Sequence, residues 1–319
     1  MDVNKAKQAS ALMQKIEENI EKVFIGKKKQ IEYLLIGLMS GLHILIEDIP
    51  GVGKTTLAKC LAASVSLDFS RIQFTPDLLP GDIIGMNIWD VNEKKFVLKK
   101  GAVMHQFILA DEINRASPRT QSSLLEVMQE YAVSIDGITN VVPQPFFVIA
   151  TQNPSTFRGT FMLPEAELDR FGLSFSIGYV SADEEESILD IKAGVDPFKI
   201  LDAVAKPQDI VDVRNLVDEI YVAQEIKTFV ISIAQRSRKS RFIKLPISTR
   251  AAQHLILAAK ARALLNKRSF VIPEDIINLS ICVLSHRIVI STEARMENKK
   301  VHEIIENIVN SVKVPVGIK

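Results

Sequence analysis

Cysteine is nearly absent from this chain. Its two cysteines, Cys60 and Cys282, lie far apart inside apolar helical patterns, which excludes a disulfide scaffold and fits a reducing cytosol. Charge of one sign is missing too. The 39 Lys and Arg against 38 Asp and Glu leave a net +1, so no global field draws the chain to nucleic acid or to an anionic membrane. Aromatic residues make up 6%, too few for a platform that stacks single-stranded bases. No apolar run approaches the roughly 20 residues that span a bilayer, and the polar N-terminal stretch lacks the apolar centre of a signal peptide. The histidines (His43, His105, His254, His286, His302) show no metal spacing. Repeats and low-complexity segments are also absent. What remains is ordinary globular composition, 47% hydrophobic and 24% charged over 319 residues, with two domains expected in a soluble, cytoplasmic protein.

The informative stretch is Ile44–Leu57. An apolar run, Ile44-Leu45-Ile46, breaks at Pro50-Gly51-Val52-Gly53, and Lys54-Thr55-Thr56-Leu57-Ala58 reads as a helix start. Strand, glycine loop, Lys-Thr and helix together form the geometry that binds a nucleoside triphosphate. Gly51 and Gly53 let successive N–H groups turn inward at phosphate oxygens, and the helix N-terminus adds free donors. Lys54 would reach the β- and γ-phosphates, and the Thr55 hydroxyl would hold Mg²⁺. The strict pattern wants glycine at position 48, where this chain has Asp48. A carboxylate there is unhelpful unless it points away from the phosphates.

Around this loop the expected fold is a parallel α/β core over residues 1–180, followed by a helical half over 181–319. Residues 1–22 and about 29–39 read as helices, and Phe69–Phe74, Phe107–Ala110 and Phe146–Thr151 as strands. Two hairpins are expected, over Ile83–Leu98 with a tip at Asn92–Lys95, and over Val133–Ile138 turning at Asp136-Gly137. Ser117-Pro118 opens a helix whose buried face is Leu124, Met128 and Tyr131. The run Arg236–Arg241 is the one local basic cluster and reads as a solvated loop.

Strand ends line the ligand crevice of a parallel sheet, so Asp111 and Glu112 should arrive beside the phosphates. Asp111 suits Mg²⁺, through its water shell, and Glu112 suits general-base work on the attacking water. Asn153, ending the next strand, would orient that water or the γ-phosphate; it reads equally well as a turn residue before Pro154. Arg170 and Arg250 are cations able to stabilise γ-phosphate charge. Each also reads as a surface salt-bridge residue, and position alone does not select them.

Taken together these segments resemble the MoxR family of AAA+ ATPases. The resemblance rests on residues 50–58, 74–80, 109–116, 150–154 and 163–171 and on the segment around Arg250, and it spans essentially the whole chain. It implies a P-loop core with a C-terminal helical lid. Lys54 and Thr55 match Walker A, Asp111 and Glu112 Walker B, Asn153 sensor 1, and Arg250 sensor 2 in the lid. Arg170 matches the arginine finger that reaches a neighbouring subunit's nucleotide, with Arg115 a weaker candidate for such a contact. Ile25 and Gly26 match the segment near the adenine, and the two hairpins match this clade's inserts. The implied cofactors are ATP and Mg²⁺. The implied partners are five further copies in a hexamer, and client proteins that commonly carry a von Willebrand factor A domain. Asp48 and the stretch Ser155–Arg158 depart from the family pattern.

Three functions follow. The first is a ring-forming, chaperone-like ATPase that remodels or activates a partner, as in cofactor or metal insertion. The second is a nucleotide-gated switch with little turnover, which Glu112 argues against because a pure switch needs no base. The third is a nucleic-acid motor, for which the sequence offers neither a basic groove nor stacking platforms.

Overall fold

The computed structural model describes residues 3–153, 159–189 and 197–315. Five parallel strands form the central sheet, in the order Phe69–Gln73, Phe107–Asp111, Phe147–Gln152, Ile44–Glu47, Leu173–Phe175. Their near-continuous apolar runs follow from burial on both faces. The period of two still sorts them. Ile44, Ile46, Phe107, Leu109, Phe147 and Ile149 enter one core, while Leu45, Ile108, Ala110, Val148 and Ala150 enter the other.

The first core is covered by helices Val3–Glu21, Lys28–Ser40 and Lys54–Val65, and runs on into the C-terminal helices. The second is covered by helix Pro118–Glu130 and the feet of the hairpins. Strand Ile44–Glu47, first in sequence, lies fourth in the sheet, with Ile46 opposite Thr151 and Phe175. Gln73 lies opposite Asp111. The strand ends carrying Asp48, Asp111 and Asn153 therefore meet at one edge of the sheet.

The first hairpin pairs Gly85–Asp90 with Lys95–Lys100, and the second pairs Ala132–Ile135 with Ile138–Val141. Asn87 Nδ2 donates to Asp136 Oδ2 at 2.7 Å and ties them together. The first hairpin starts later than the alternation suggests. Pro80–Ile84 is a short helix, because Pro80 presets its first turn and Asp82 Oδ2 accepts from Leu79 N. Tyr131 is likewise not on the buried face of its helix. It lies beyond the helix end with φ 53° and stays exposed, whereas Leu124 and Met128 are buried.

The C-terminal half is helical over Pro207–Asp218, Gln224–Lys239, Thr249–Leu265, Pro273–Leu284 and Val301–Ser311. Two differences stand out. Ile243–Leu245 pairs antiparallel with Val289–Ile290, a short ladder that helical periodicity hides. Arg236, Arg238 and Lys239 sit in the last turn of their helix rather than in a loop, where they complement the helix dipole. Both cysteines are free and buried. Among the described residues no helix is long and apolar enough to cross a membrane.

Candidate functional site

The phosphate loop is built by two left-handed glycines, Gly51 (φ 89°) and Gly53 (φ 90°), a conformation that strains any residue with a Cβ. Gly53 precedes helix Lys54–Val65, so the free N–H groups of the first helical turn face the loop. Gly51, Val52, Gly53 and Thr56 line a cavity of about 440 Å³ together with Phe24, Ile25, Ile177, Gly178 and Tyr179. Gly26 lies on the adjoining turn against Glu184, and Pro50 is exposed on the outside of the loop. A larger cleft of about 940 Å³ between helices Gln224–Lys239 and Val301–Ser311 contains none of these residues.

The polar side chains form a continuous circuit. Lys54 Nζ donates to Asp48 O (2.6 Å) and to Asn153 Oδ1 (3.0 Å). Asn153 Nδ2 donates to Glu112 Oε1 at 2.9 Å, so both ends of this amide are in use, as a plain turn residue would not need. Thr55 Oγ1 lies 3.3 Å from Asp111 Oδ2. Thr151 Oγ1 donates to Asp111 Oδ1 (2.7 Å) and accepts from Glu112 N (2.9 Å). Burial pulls the Lys54 ammonium below its ordinary range, against the opposing pull of Asp48, Asp111 and Glu112. Among the described residues its two acceptors, at 2.6 and 3.0 Å, keep it aimed across the loop.

Asp48 does point away from the loop. Its Oδ2 accepts from Ile177 N and Gly178 N, both at 2.7 Å, and its Oδ1 accepts from Ile49 N at 2.8 Å. The carboxylate thus ties the phosphate loop to the segment forming the far wall of the cavity. Its backbone carbonyl is the atom that Lys54 Nζ bonds, while its carboxylate acts on Lys54 through charge attraction alone.

Two family models match this chain, one described as "ATPase family associated with various cellular activities (AAA)" over residues 43–173 and one described as "AAA lid domain" over 235–308. Chaperone MoxR1 from Mycobacterium tuberculosis is 37% identical over 305 residues, covering 93% of this chain and 80% of that protein. The uncharacterised protein YeaC from Bacillus subtilis is 41% identical over 305 residues, covering 96% and 95%. A solved crystal structure from Cytophaga hutchinsonii superposes with a TM-score of 0.91 at 36% identity, covering 98% and 97%. The chain belongs to the MoxR family of AAA+ ATPases.

In this MoxR-family chain several residues of the site escaped the sequence. Arg71 Nη2 and Nε donate to Asp111 Oδ2 at 2.6 and 3.1 Å. Arg71 Nη2 also donates to Gln73 Oε1 (2.6 Å), whose Nε2 donates to Glu112 Oε2 at 3.2 Å. Arg115, the weaker candidate for a contact to a neighbouring subunit, instead donates from Nη1 to the same Glu112 oxygen of its own chain at 3.0 Å. Residues 71 and 73 share one face of a strand paired with Phe107–Asp111, so period-two spacing plus the register would have selected them. Glu112 itself has φ 56°, a left-handed conformation that costs a non-glycine residue about 1–3 kcal/mol.

Oxygen ligands in a polar site suit Mg²⁺, and Thr55 with Asp111 supplies them. Among the described residues there is no cluster of three or more metal-ligating side chains of the His, Cys, Asp or Glu type. Arg170 and Arg250 are not joined to this circuit. Both are half-buried, and neither side chain makes a hydrogen bond or ion pair among the described residues. Ser155–Arg158, the segment departing from the family pattern, lies outside the described residues.

Proposed function

We propose that this chain hydrolyses ATP as one subunit of a ring and uses the resulting motion to remodel or activate a client protein. The observation that carries the reading is the circuit Lys54–Asn153–Glu112, with Thr55 and Asp111 beside it. A lysine for phosphate, directly after the glycine loop, and a base are joined through one amide. Adenine fits between Ile25–Gly26 and the Ile177–Tyr179 segment. Lys54 holds the β- and γ-phosphates, and Asn153 aligns the γ-phosphate with water taken up by Glu112. Mg²⁺, held by Thr55 and Asp111, would neutralise phosphate charge. Arg250 adds charge from the same subunit's lid and Arg170 from the neighbouring subunit, so turnover depends on assembly. A hexamer is the expected ring. A chaperone role agrees with the name of the Mycobacterium tuberculosis relative. The exposed hairpin pair Trp89 and Phe96, with ring centroids 5.2 Å apart, supports a client surface there. Clients with a von Willebrand factor A domain are the first to try.

Turnover per subunit, measured over a wide range of protein concentration beside Lys54→Ala and Arg170→Ala, tests this. Specific activity that climbs with concentration and is lost in both variants supports the shared site. Turnover flat with concentration and unimpaired in Arg170→Ala defeats it.

The three donors on Glu112 (Asn153, Gln73, Arg115) favour a second reading, in which the base stays held and nucleotide only gates assembly. Equal low turnover in wild type and Glu112→Gln would select that switch.

A further inference from the structure

Arg170 lies on a turn between the short helix Glu165–Leu168 and strand Leu173–Phe175. Every residue flanking it is held by the lid. On its N-terminal side, Asp169 Oδ1 and Oδ2 accept from Ser248 Oγ at 3.0 and 3.1 Å. Ser248 Oγ also accepts from Ala251 N at 3.0 Å, capping helix Thr249–Leu265, which carries Arg250. On its C-terminal side, Arg287 Nη2 donates to Phe171 O and to Gly172 O. The same nitrogen donates to Nδ1 of His254 on the Arg250 helix at 2.7 Å.

The remaining nitrogen of Arg287, Nη1, is buried without a hydrogen bond and lies 3.6 Å from Asp169 Oδ1. It is therefore near enough for charge attraction, and a shift of a few tenths of an ångström would complete the bond. Burial holds both neighbouring histidines, His254 and His286, down at about 3, so neither competes with Arg287 for the carboxylate. A cavity of about 500 Å³ opens beside this joint among Glu165, Asp169, Leu245, Ser248 and Arg287, and the polar contacts of Asp169 with Ser248 and Arg287 cross its wall from the turn to the lid.

We propose that Asp169 is a positioning residue that couples Arg170 to the lid of its own subunit. The hydroxyl that caps the Arg250 helix is bonded to the residue preceding Arg170, so movement of that helix re-aims Arg170. In a ring, the nucleotide state of one subunit would set the reach of its arginine into the next subunit's site. A displacement of 1 Å at a catalytic group is enough to change rates about 10²-fold. The proposal rests on the reading of Arg170 as acting in trans.

Mixed rings separate the possibilities. Glu112→Gln subunits keep nucleotide without turning it over and supply Arg170; Arg170→Ala subunits keep the site and lack the arginine. In an equimolar mixture with random neighbours, about a quarter of sites pair an intact pocket with an intact arginine, and turnover should recover to that level. Adding Asp169→Asn to the Glu112→Gln partner should cut the recovery at least tenfold, whereas adding it to the Arg170→Ala partner should leave it unchanged. Ser248→Ala in the Glu112→Gln partner should act in the same direction, and melting curves of each variant report folding. Equal recovery with and without Asp169→Asn in the arginine-supplying subunit overturns the proposal. So does a loss that appears wherever Asp169→Asn is placed, since that marks a merely structural role. No recovery in the parent mixture instead refutes the trans reading of Arg170, and the coupling with it.

Discussion

The acidic side of the site and its two arginines are built in opposite ways. Lys54, Asp111, Glu112 and Asn153 each have at least two bonded partners before any nucleotide arrives. Arg170 and Arg250 have none among the described residues. A buried charge must be paired or it is costly, so the groups deepest in the site hold one another in place. The arginines stay half-exposed, where an unpaired cation is affordable. On the proposed function, the difference separates what one chain preorganises from what phosphate, or a second subunit, would complete.

The sharpest test sets the two kinds of residue side by side. Lys54→Ala, Glu112→Gln and Arg170→Ala should each lower turnover by roughly 10²–10³-fold. They should differ in everything else. Lys54→Ala should also abolish nucleotide binding, and Glu112→Gln should retain it. Arg170→Ala should retain binding and melt within about 1 °C of wild type, because truncating a bare arginine breaks no bond. A melting point several degrees lower in Arg170→Ala would mean that the arginine is bonded in solution, and the contrast would collapse.

Asp48 tests the preorganised side alone. By motif logic Asp48→Gly restores the usual phosphate loop and should help. By the geometry it removes the acceptor for Ile177 N, Gly178 N and Ile49 N, leaving buried donors unpaired. The expected loss is about 2–4 kcal/mol in denaturant unfolding, with weaker nucleotide binding as the cavity wall loosens. A variant as stable as wild type would show that water replaces the carboxylate.

Asp48 also marks where reading the chain stops being enough. Four of the five sheet strands, the glycine loop and the acid pair were legible because each is a local pattern: an apolar run, a glycine pair, an acid at a strand end. The fifth strand, Leu173–Phe175, is three residues long and gave no such pattern, and Asn153 read equally well as a turn residue. Where the Asp48 side chain points was not legible, since its acceptor role depends on residues 129 and 130 positions later. Arg71 and Gln73 were hidden for a similar reason. They matter only through the register of their strand against Phe107–Asp111, which no single segment encodes. The short ladder between Ile243–Leu245 and Val289–Ile290 likewise joins segments too brief and too distant for either to signal a strand. Arg170 and Arg250 were found by family resemblance, because an unbonded arginine leaves no local trace.

Below the site, His43 pins the same strands. Its Nε2 faces Met128 O at 3.1 Å, and its Nδ1 accepts from Val148 N at 3.1 Å, an arrangement that requires the neutral ring. Burial lowers its pKa from 6.5 to about 4. Between those values the unfolded chain binds a proton that the folded chain refuses, so stability falls as pH falls. From pH 7 to pH 5 the loss should be about 2 kcal/mol from this group. His254 and His286, held near 3, act with the same sign. His43→Gln should flatten the unfolding free energy between pH 7 and 5 by about that amount. An unchanged slope would mean that His43 titrates normally in the folded protein.

The smallest effect concerns Arg71, the one cation ion-paired with Asp111 among the described residues. The Arg71 guanidinium sits on Asp111 Oδ2 at 2.6 Å, the same oxygen that faces Thr55 Oγ1 at 3.3 Å, so it competes for the oxygen that would hold Mg²⁺. The pair is partly open, the Arg71 side chain being 44% exposed, and such ion pairs contribute at most about 1 kcal/mol. Arg71→Gln should therefore lower the Mg²⁺ concentration for half-maximal binding of a fluorescent ATP analogue, by no more than about fivefold. Binding is the proper readout, because turnover would also register the lost contact to Gln73 and, through it, to Glu112. A rise in the Mg²⁺ requirement would show that Arg71 orients Asp111 for the metal. In that case even the cation on the preorganised side would be waiting for ligand, as the proposed function has Arg170 and Arg250 do.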